Sequence, residues 1–221
     1  MDKTCGKARF NMIQQQIRPW QVLDERVLEA MGAVARESFV PDAYVGLAYA
    51  DSAIPLAPGV SMLAPTIAAR LLQALAIEPG QRVLEIGTGS GYLTACLSRL
   101  GARVVSLETD PALAVAARAR LAAQKCGGCE VRDGDGLAGP VGGGPFDGIL
   151  VTGSLPCARP LAMLREQLVV GGRLACILGE SPVMECVRVT RVGEQDYRRE
   201  SLFETCVPPL TTAPRSAAFV F

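Results

Sequence analysis

The chain contains no histidine, so no imidazole can act in it as a general base, a proton shuttle or a metal ligand. Its chemistry must start from a reactant that needs no histidine to activate it. There is also no excess of charge of either sign. Lysine plus arginine and aspartate plus glutamate number 22 each, which leaves no global field to draw nucleic acid or an anionic membrane, and neither is expected as a partner. No uninterrupted apolar stretch reaches about 18 residues, so no membrane span is expected. The segment from Met1 to Lys7 leads into polar residues rather than an apolar leader, and a cytoplasmic protein is expected. Of the eight cysteines, Cys96, Cys157, Cys176, Cys186 and Cys206 sit in apolar runs and read as free, buried thiols. Cys126-Gly127-Gly128-Cys129 has the spacing of half a zinc site or a redox pair, but there is no second half. A glycine turn into a strand accounts for it, and no metal is expected.

What the chain does have is Val83-Leu84-Glu85-Ile86-Gly87-Thr88-Gly89-Ser90-Gly91-Tyr92, an apolar run ending in three alternate glycines. It reads as a strand that enters a nucleotide-binding loop, because residues 92–100 carry apolar side chains at helical spacing. Glycines between strand and helix let the backbone turn tightly and approach a ligand, with the first helical N–H groups facing the loop. A dinucleotide fingerprint would need a third glycine or alanine where Tyr92 or Thr94 stands, which disfavours NAD and FAD. The next apolar run, Arg103 to Leu107, ends in Glu108, 21 positions after Gly87. An acid about 20 residues on, at the end of the second strand, is how such sheets hold a ribose.

From residue 82 onward strand-like and helix-like segments alternate: 82–86, 92–100, 103–107, 111–125, 129–132, 147–152, 160–169 and 173–178. The alternation predicts an α/β fold, Rossmann-like and doubly wound, with a mostly parallel sheet and helices on both faces. Asp110-Pro111 and Pro160 mark helix starts, and Gly171-Gly172 is expected to end the last helix and launch a strand. Runs near 184–191 and 199–207 predict a closing antiparallel pair, and Ala217 to Phe221 a final strand. The glycine-rich stretch 139–144 is expected to be a surface loop. Before residue 80, Asp24 and Pro65 each open an amphipathic helix, and the segment between them, from Phe39 to Val60, reads as irregular. One domain is expected over 1–221, with 1–80 an N-terminal helical cap on the substrate side and 81–221 the cofactor-binding core.

These residues together resemble the protein-L-isoaspartate O-methyltransferase family of class I S-adenosylmethionine-dependent methyltransferases. The resemblance rests on Asp24 to Met31, Phe39-Val40-Pro41, Ala48 to Asp51, Ala64-Pro65, Val83 to Tyr92, Gly134-Asp135-Gly136, Pro145 to Thr152 and Gly171 to Leu174. It implies S-adenosylmethionine as cofactor, Gly87, Gly89 and Gly91 around the methionine moiety, Glu108 on the ribose and Asp135 near the adenine amine. The cofactor-binding set it implies also includes Glu85, Thr88, Tyr92, Gly136 and Thr152. Family members carry Thr-Ile-Ser before an Ala-Pro or Gln-Pro that opens a helix, and that serine orients the acceptor. Here the run is Ser61-Met62-Leu63-Ala64-Pro65, and Leu63 cannot donate a hydrogen bond. Either Ser61 is then the acceptor-side hydroxyl or backbone N–H groups take over, or the pocket is re-fitted for an acceptor with an apolar part; the terminal Pro208-Pro209-Leu210-Thr211 either lines an acceptor groove or is an ordinary edge. The acceptor could be an isoaspartyl protein or peptide, a small molecule or another protein carboxylate. A domain that binds without turnover is the third reading.

Overall fold

The computed structural model of the protein describes residues 3–215; the expected strand 217–221 lies outside them. The apolar run before the glycines forms a central strand, β3 (Arg82–Ile86), in which Val83 and Leu84 are wholly buried on opposite faces. The seven-stranded sheet has the order β5 (Cys129–Asp133), β4 (Arg103–Glu108), β3, β6 (Phe146–Leu155), β7 (Leu168–Glu180), β8 (Val183–Arg191), β9 (Tyr197–Thr205). The strands from β5 to β7 pair in parallel, and β8 and β9 close the sheet antiparallel. The chain steps outward from β3 to β4 and β5, then crosses to β6 on the other side. That reversal opens a crevice at the carboxyl ends of β3, β4 and β6, where open sheets of this kind bind ligands.

Helices cover both faces unequally. Helices α3 (Pro65–Leu75) and α4 (Tyr92–Arg99) pack Leu71, Leu72, Leu75 and Leu97 on the face that carries Val83, Val104 and Ile177. Leu121 of α5 (Pro111–Ala123), a helix capped by Asp110 through the Ala112 N–H at 2.8 Å, joins the same cluster. The opposite face, with Leu84, Ile149 and Leu174, is covered by Leu161 and Leu164 of α6 (Arg159–Glu166). Each such side chain, fully buried, contributes about 1.5–3 kcal/mol.

The N-terminal segment is built onto the first of these clusters. Helix α1 (Lys3–Asn11) runs into a π-helical stretch, Met12–Ile17, and α2 (Glu25–Ala33) follows, capped by Asp24. Met12, Ile17, Leu28 and Met31 are buried in the same core as α3. Sequence periodicity misses α1, whose residues show no apolar stripe.

Two expectations are corrected. The segment read as irregular contains a hairpin, β1 (Ile54–Ala57) and β2 (Val60–Met62), whose short strands carry Pro55 and turn at Pro58-Gly59, so alternation is hidden. Gly171-Gly172 does not end a helix: α6 stops at Glu166 and β7 already pairs Leu168 with Phe146. The glycines lie in the bulge before Arg173 pairs with Gly148, with Gly171 at φ +88°.

Candidate active site

The crevice at the strand ends is a cavity that opens to solvent, with about 870 Å³ of empty space when its open mouth is included. Its first wall is the loop after β3. The Gly87 and Thr88 N–H groups donate to Leu107 O (2.9 and 3.1 Å), which fastens the loop across the tip of β4. Gly87 sits at φ +92°, and a Cβ there would overlap Thr152 Oγ1, so neither the conformation nor the space admits another residue. Thr152, near the end of β6, donates in turn to Gly87 O (2.6 Å), with Ile86 O at 3.0 Å. Gly87, Thr88, Gly89, Ser90 and Thr152 all line the cavity.

Glu108, the last residue of β4, lines it too. The Gly89 N–H donates to its Oε2 (2.7 Å), and those of Thr109 and Asp110 donate to Oε1 (2.9 and 3.1 Å). Three backbone donors fix the carboxylate and occupy three of its four lone-pair sites, which leaves one on Oε2 for another hydroxyl. Asp135, just past β5, uses Oδ1 to accept from the Leu137 N–H (2.8 Å) and from Thr212 Oγ1 (2.9 Å). Gly136 lies beside it on the wall.

Two residues of the expected cofactor set do not face the cavity. Glu85 is wholly buried beneath the loop, where Thr94 Oγ1 and Ser106 Oγ (2.7 Å) donate to its Oε2. Because Ser106 spends its one hydrogen there, its oxygen accepts from Thr88 Oγ1 at 2.6 Å, and the chain Thr88–Ser106–Glu85 ties the loop to the core. Burial pushes the Glu85 carboxyl up to about 7 against the pull of the two hydroxyls, and Glu108 adds to the rise. Glu85 therefore supports the loop rather than lining the cavity. Gly91, at φ +86°, turns toward α5, where a Cβ would stand 3.3 Å from Ala117 Cβ. Its lack of a side chain serves helix packing. Tyr92 does line the cavity although it is 2% exposed.

The remaining wall comes from distant segments. Hairpin β1–β2 brings Leu56 and Ser61 to it, with Leu63 just past its end, and Pro208 to Thr212 complete the rim. This last segment is anchored to the tip of β6: the Ser154 N–H donates to Pro208 O (3.0 Å) and the Leu210 N–H to Ser154 O (3.1 Å). Of its two readings, the structure supports a cavity wall. Sequence reasoning missed Arg36, which is wholly buried, lines the cavity and donates through Nη2 to Leu63 O (2.7 Å). Its setting, Arg36-Glu37-Ser38, reads as a charged surface turn. The Cys126-x-x-Cys129 pair lies elsewhere. Both thiols are pushed up by burial, and among the described residues no group of three His, Cys, Asp or Glu could hold a metal ion.

Comparison with known proteins agrees along nearly the whole chain. The sequence profile of the protein-L-isoaspartate(D-aspartate) O-methyltransferase family matches residues 7–213. A protein-L-isoaspartate O-methyltransferase of Methylorubrum populi is 41% identical over 203 residues, 92% of this chain and 94% of that one. One from Pelobacter propionicus is 43% identical over 203 residues, covering 91% and 89%. Among solved structures, a Plasmodium falciparum chain described as a protein-L-isoaspartate O-methyltransferase, in complex with S-adenosyl-L-homocysteine, has the same fold. It superposes with a TM-score of 0.76 at 21% identity, over 92% of this chain and 98% of that one.

Proposed function

The chain belongs to the protein-L-isoaspartate(D-aspartate) O-methyltransferase family, and on that premise we propose a division of labour within its cavity. The protein is an S-adenosylmethionine-dependent O-methyltransferase. We assign the donor to the wall of Gly87, Thr88, Gly89, Tyr92, Glu108, Asp135, Gly136 and Thr152, with Glu108 on the ribose through its remaining lone pair and Asp135 accepting from the adenine amine. The observation that carries this is Glu108, held by three backbone N–H groups at the foot of a bare glycine loop. Glu85 and Gly91 support that wall from behind. We read residues 1–80 as the acceptor-side part of the same unit.

When bound, S-adenosylmethionine supplies a methyl group on a cationic sulfur, which a carboxylate takes directly. An isoaspartyl carboxyl has an ordinary pKa of about 4 and is ionised at neutral pH, so no base is required and the lack of histidine is no handicap. The protein has to align the reactants and exclude water. Leu56, Leu63, Leu93 and Leu210 provide the apolar enclosure, and alignment alone is worth several kcal/mol of barrier. Ser61 is the hydroxyl on β2 that we assign to acceptor orientation. Leu63 contributes shape and no donor, which favours a slower isoaspartyl reaction or an acceptor with an apolar part.

No helix of the described residues is long and apolar enough to cross a membrane. All eight cysteines are free thiols, which supports our placing the protein in the reducing cytoplasm. Transfer of labelled methyl to an isoaspartyl peptide, to its normal aspartyl isomer and to cell extract tests the reading. Label on the isoaspartyl peptide alone among the two, lost with Ser61→Ala, is the expected result; label confined to a small molecule of the extract would replace it with the second acceptor class.

A further inference from the structure

The protein buries two arginines, and they are treated differently. Arg9 has the partners a buried guanidinium ordinarily needs: Glu37 at 3.0 Å and the hydroxyl of Tyr49 at 2.9 Å. Arg36 is 0% exposed, and no carboxylate forms an ion pair with it among the described residues. Its Nε donates to Ala48 O (2.8 Å) and its Nη2 to Leu63 O (2.7 Å), while Nη1 has no partner. The guanidinium lies 4.7 Å from the centre of the Tyr92 ring, itself braced edge-on by Phe39 at 5.8 Å. The Tyr92 hydroxyl is buried beside it, close to Arg36 and the Cys96 thiol but without a well-formed hydrogen bond to either. Asp51 exerts a weak pull, but its Oδ1 is taken by the N–H and hydroxyl of Thr66.

Removing a cation from water without a counter-charge costs several kcal/mol, and stacking on one ring returns only about 2. Arg36 lies on the wall of the cavity with Ser61, Leu63 and Tyr92. Resting on the methyltransferase reading above, we propose that Arg36 is the counter-charge for the acceptor: its guanidinium, buried in the wall, attracts one carboxylate oxygen across the cavity and leaves the other to attack. An anionic acceptor is thereby selected by a buried cation where the hydroxyl of a serine is missing.

The charge balance of the reaction gives the proposal a second consequence. One carboxylate oxygen forms the new bond to the methyl carbon, the carbon–sulfur bond breaks, and its electron pair stays on sulfur. The negative charge of the acceptor and the positive charge of the sulfonium vanish together, and no proton moves. The product is a neutral ester, which no longer pairs with Arg36. The same guanidinium that draws in the carboxylate therefore favours release of the ester.

The test is binding to protein loaded with S-adenosylhomocysteine, read by calorimetry and by the side-chain nitrogen resonances of Arg36. The ligands are an isoaspartyl peptide, the same peptide with that carboxyl as an amide or methyl ester, and acetate. The carboxylate peptide should bind at least about tenfold more tightly than the amide or ester and shift the Arg36 signals, as attraction between opposite charges in a poorly solvated cavity predicts. Arg36→Gln should erase that preference and Arg36→Lys retain part of it; if either fails to fold, the comparison of ligands on the natural protein still decides. Equal affinity for carboxylate and amide, or carboxylate binding that leaves Arg36 unmoved, overturns the proposal. Should no peptide bind while acetate shifts Arg36, the isoaspartyl acceptor is wrong and the carboxylate site stands. If acetate and peptides all leave Arg36 unmoved while S-adenosylhomocysteine binds, the site itself is refuted.

Discussion

The two sides of the cavity are built on opposite plans. The donor side is made of strand tips and the turns that leave them, and its carboxylates are held by backbone N–H groups: Glu108 by three, Asp135 by the Leu137 N–H. The acceptor side is made of side chains gathered from residues 36, 56–63 and 208–212. Its one cation pairs with no acid, and its central position is an isobutyl group. A site fixed by main chain tolerates little change, whereas a site fixed by side chains is re-fitted by single substitutions. On the assignment proposed above, the donor function belongs to the fold, and acceptor choice to a few replaceable residues.

Leu63→Ser tests that contrast most sharply. Restoring a hydroxyl next to the reacting carboxylate recovers a hydrogen bond worth on the order of 2–4 kcal/mol, so isoaspartyl methylation should rise roughly a hundredfold. Affinity for S-adenosylhomocysteine should stay put. A rate that does not move, with cofactor affinity intact, would mean that the acceptor side is not governed by residue 63.

A smaller effect is expected from Glu108→Ala, which removes a charged acceptor from the donor side. Calorimetry should show S-adenosylhomocysteine binding weakened by about 1–3 kcal/mol. An unchanged affinity would shift the ribose to another group and dissolve the distinction between the two sides.

The difference in plan also decides what could be read from the amino acids alone. Gly87, Gly89 and Glu108 were legible because strand, loop and next strand are contiguous and the chemistry of the loop is local. At Gly91 and Glu85 the motif alone does not tell a residue on the cavity wall from one that packs against α5 or in the core; only tertiary packing does. Arg36 left no local signal, since nothing in a charged tripeptide announces that Tyr92, Leu63 and Ala48 will close around it. The β1–β2 hairpin was hidden for a different reason. Three- and four-residue strands with a proline inside are too short for alternation to emerge.

The smallest functional effect is expected at Glu85. Its carboxyl titrates near 7 in the folded protein, above its unfolded value of 4.5, so the folded state holds a proton that the unfolded state has already lost. Stability should then fall as the pH rises from about 4.5 to about 7 and level off above. Glu85→Gln should flatten that slope in denaturant titrations across this range, while cofactor affinity changes less than about threefold, since the loop keeps its bonds to Leu107 O. A slope that survives the substitution would assign it to another group.

The rim strung along β6 has a bearing on how the protein comes into being. Residues 208–212 bond to Ser154 and reach Asp135 through Thr212, so the pocket acquires its last side only when that stretch has been made. A nascent chain, which folds from its N-terminus as it emerges, can complete the glycine loop and the parallel strands long before then. On the ribosome, the loop that would grip the methyl donor can be in place before this part of the enclosure is added.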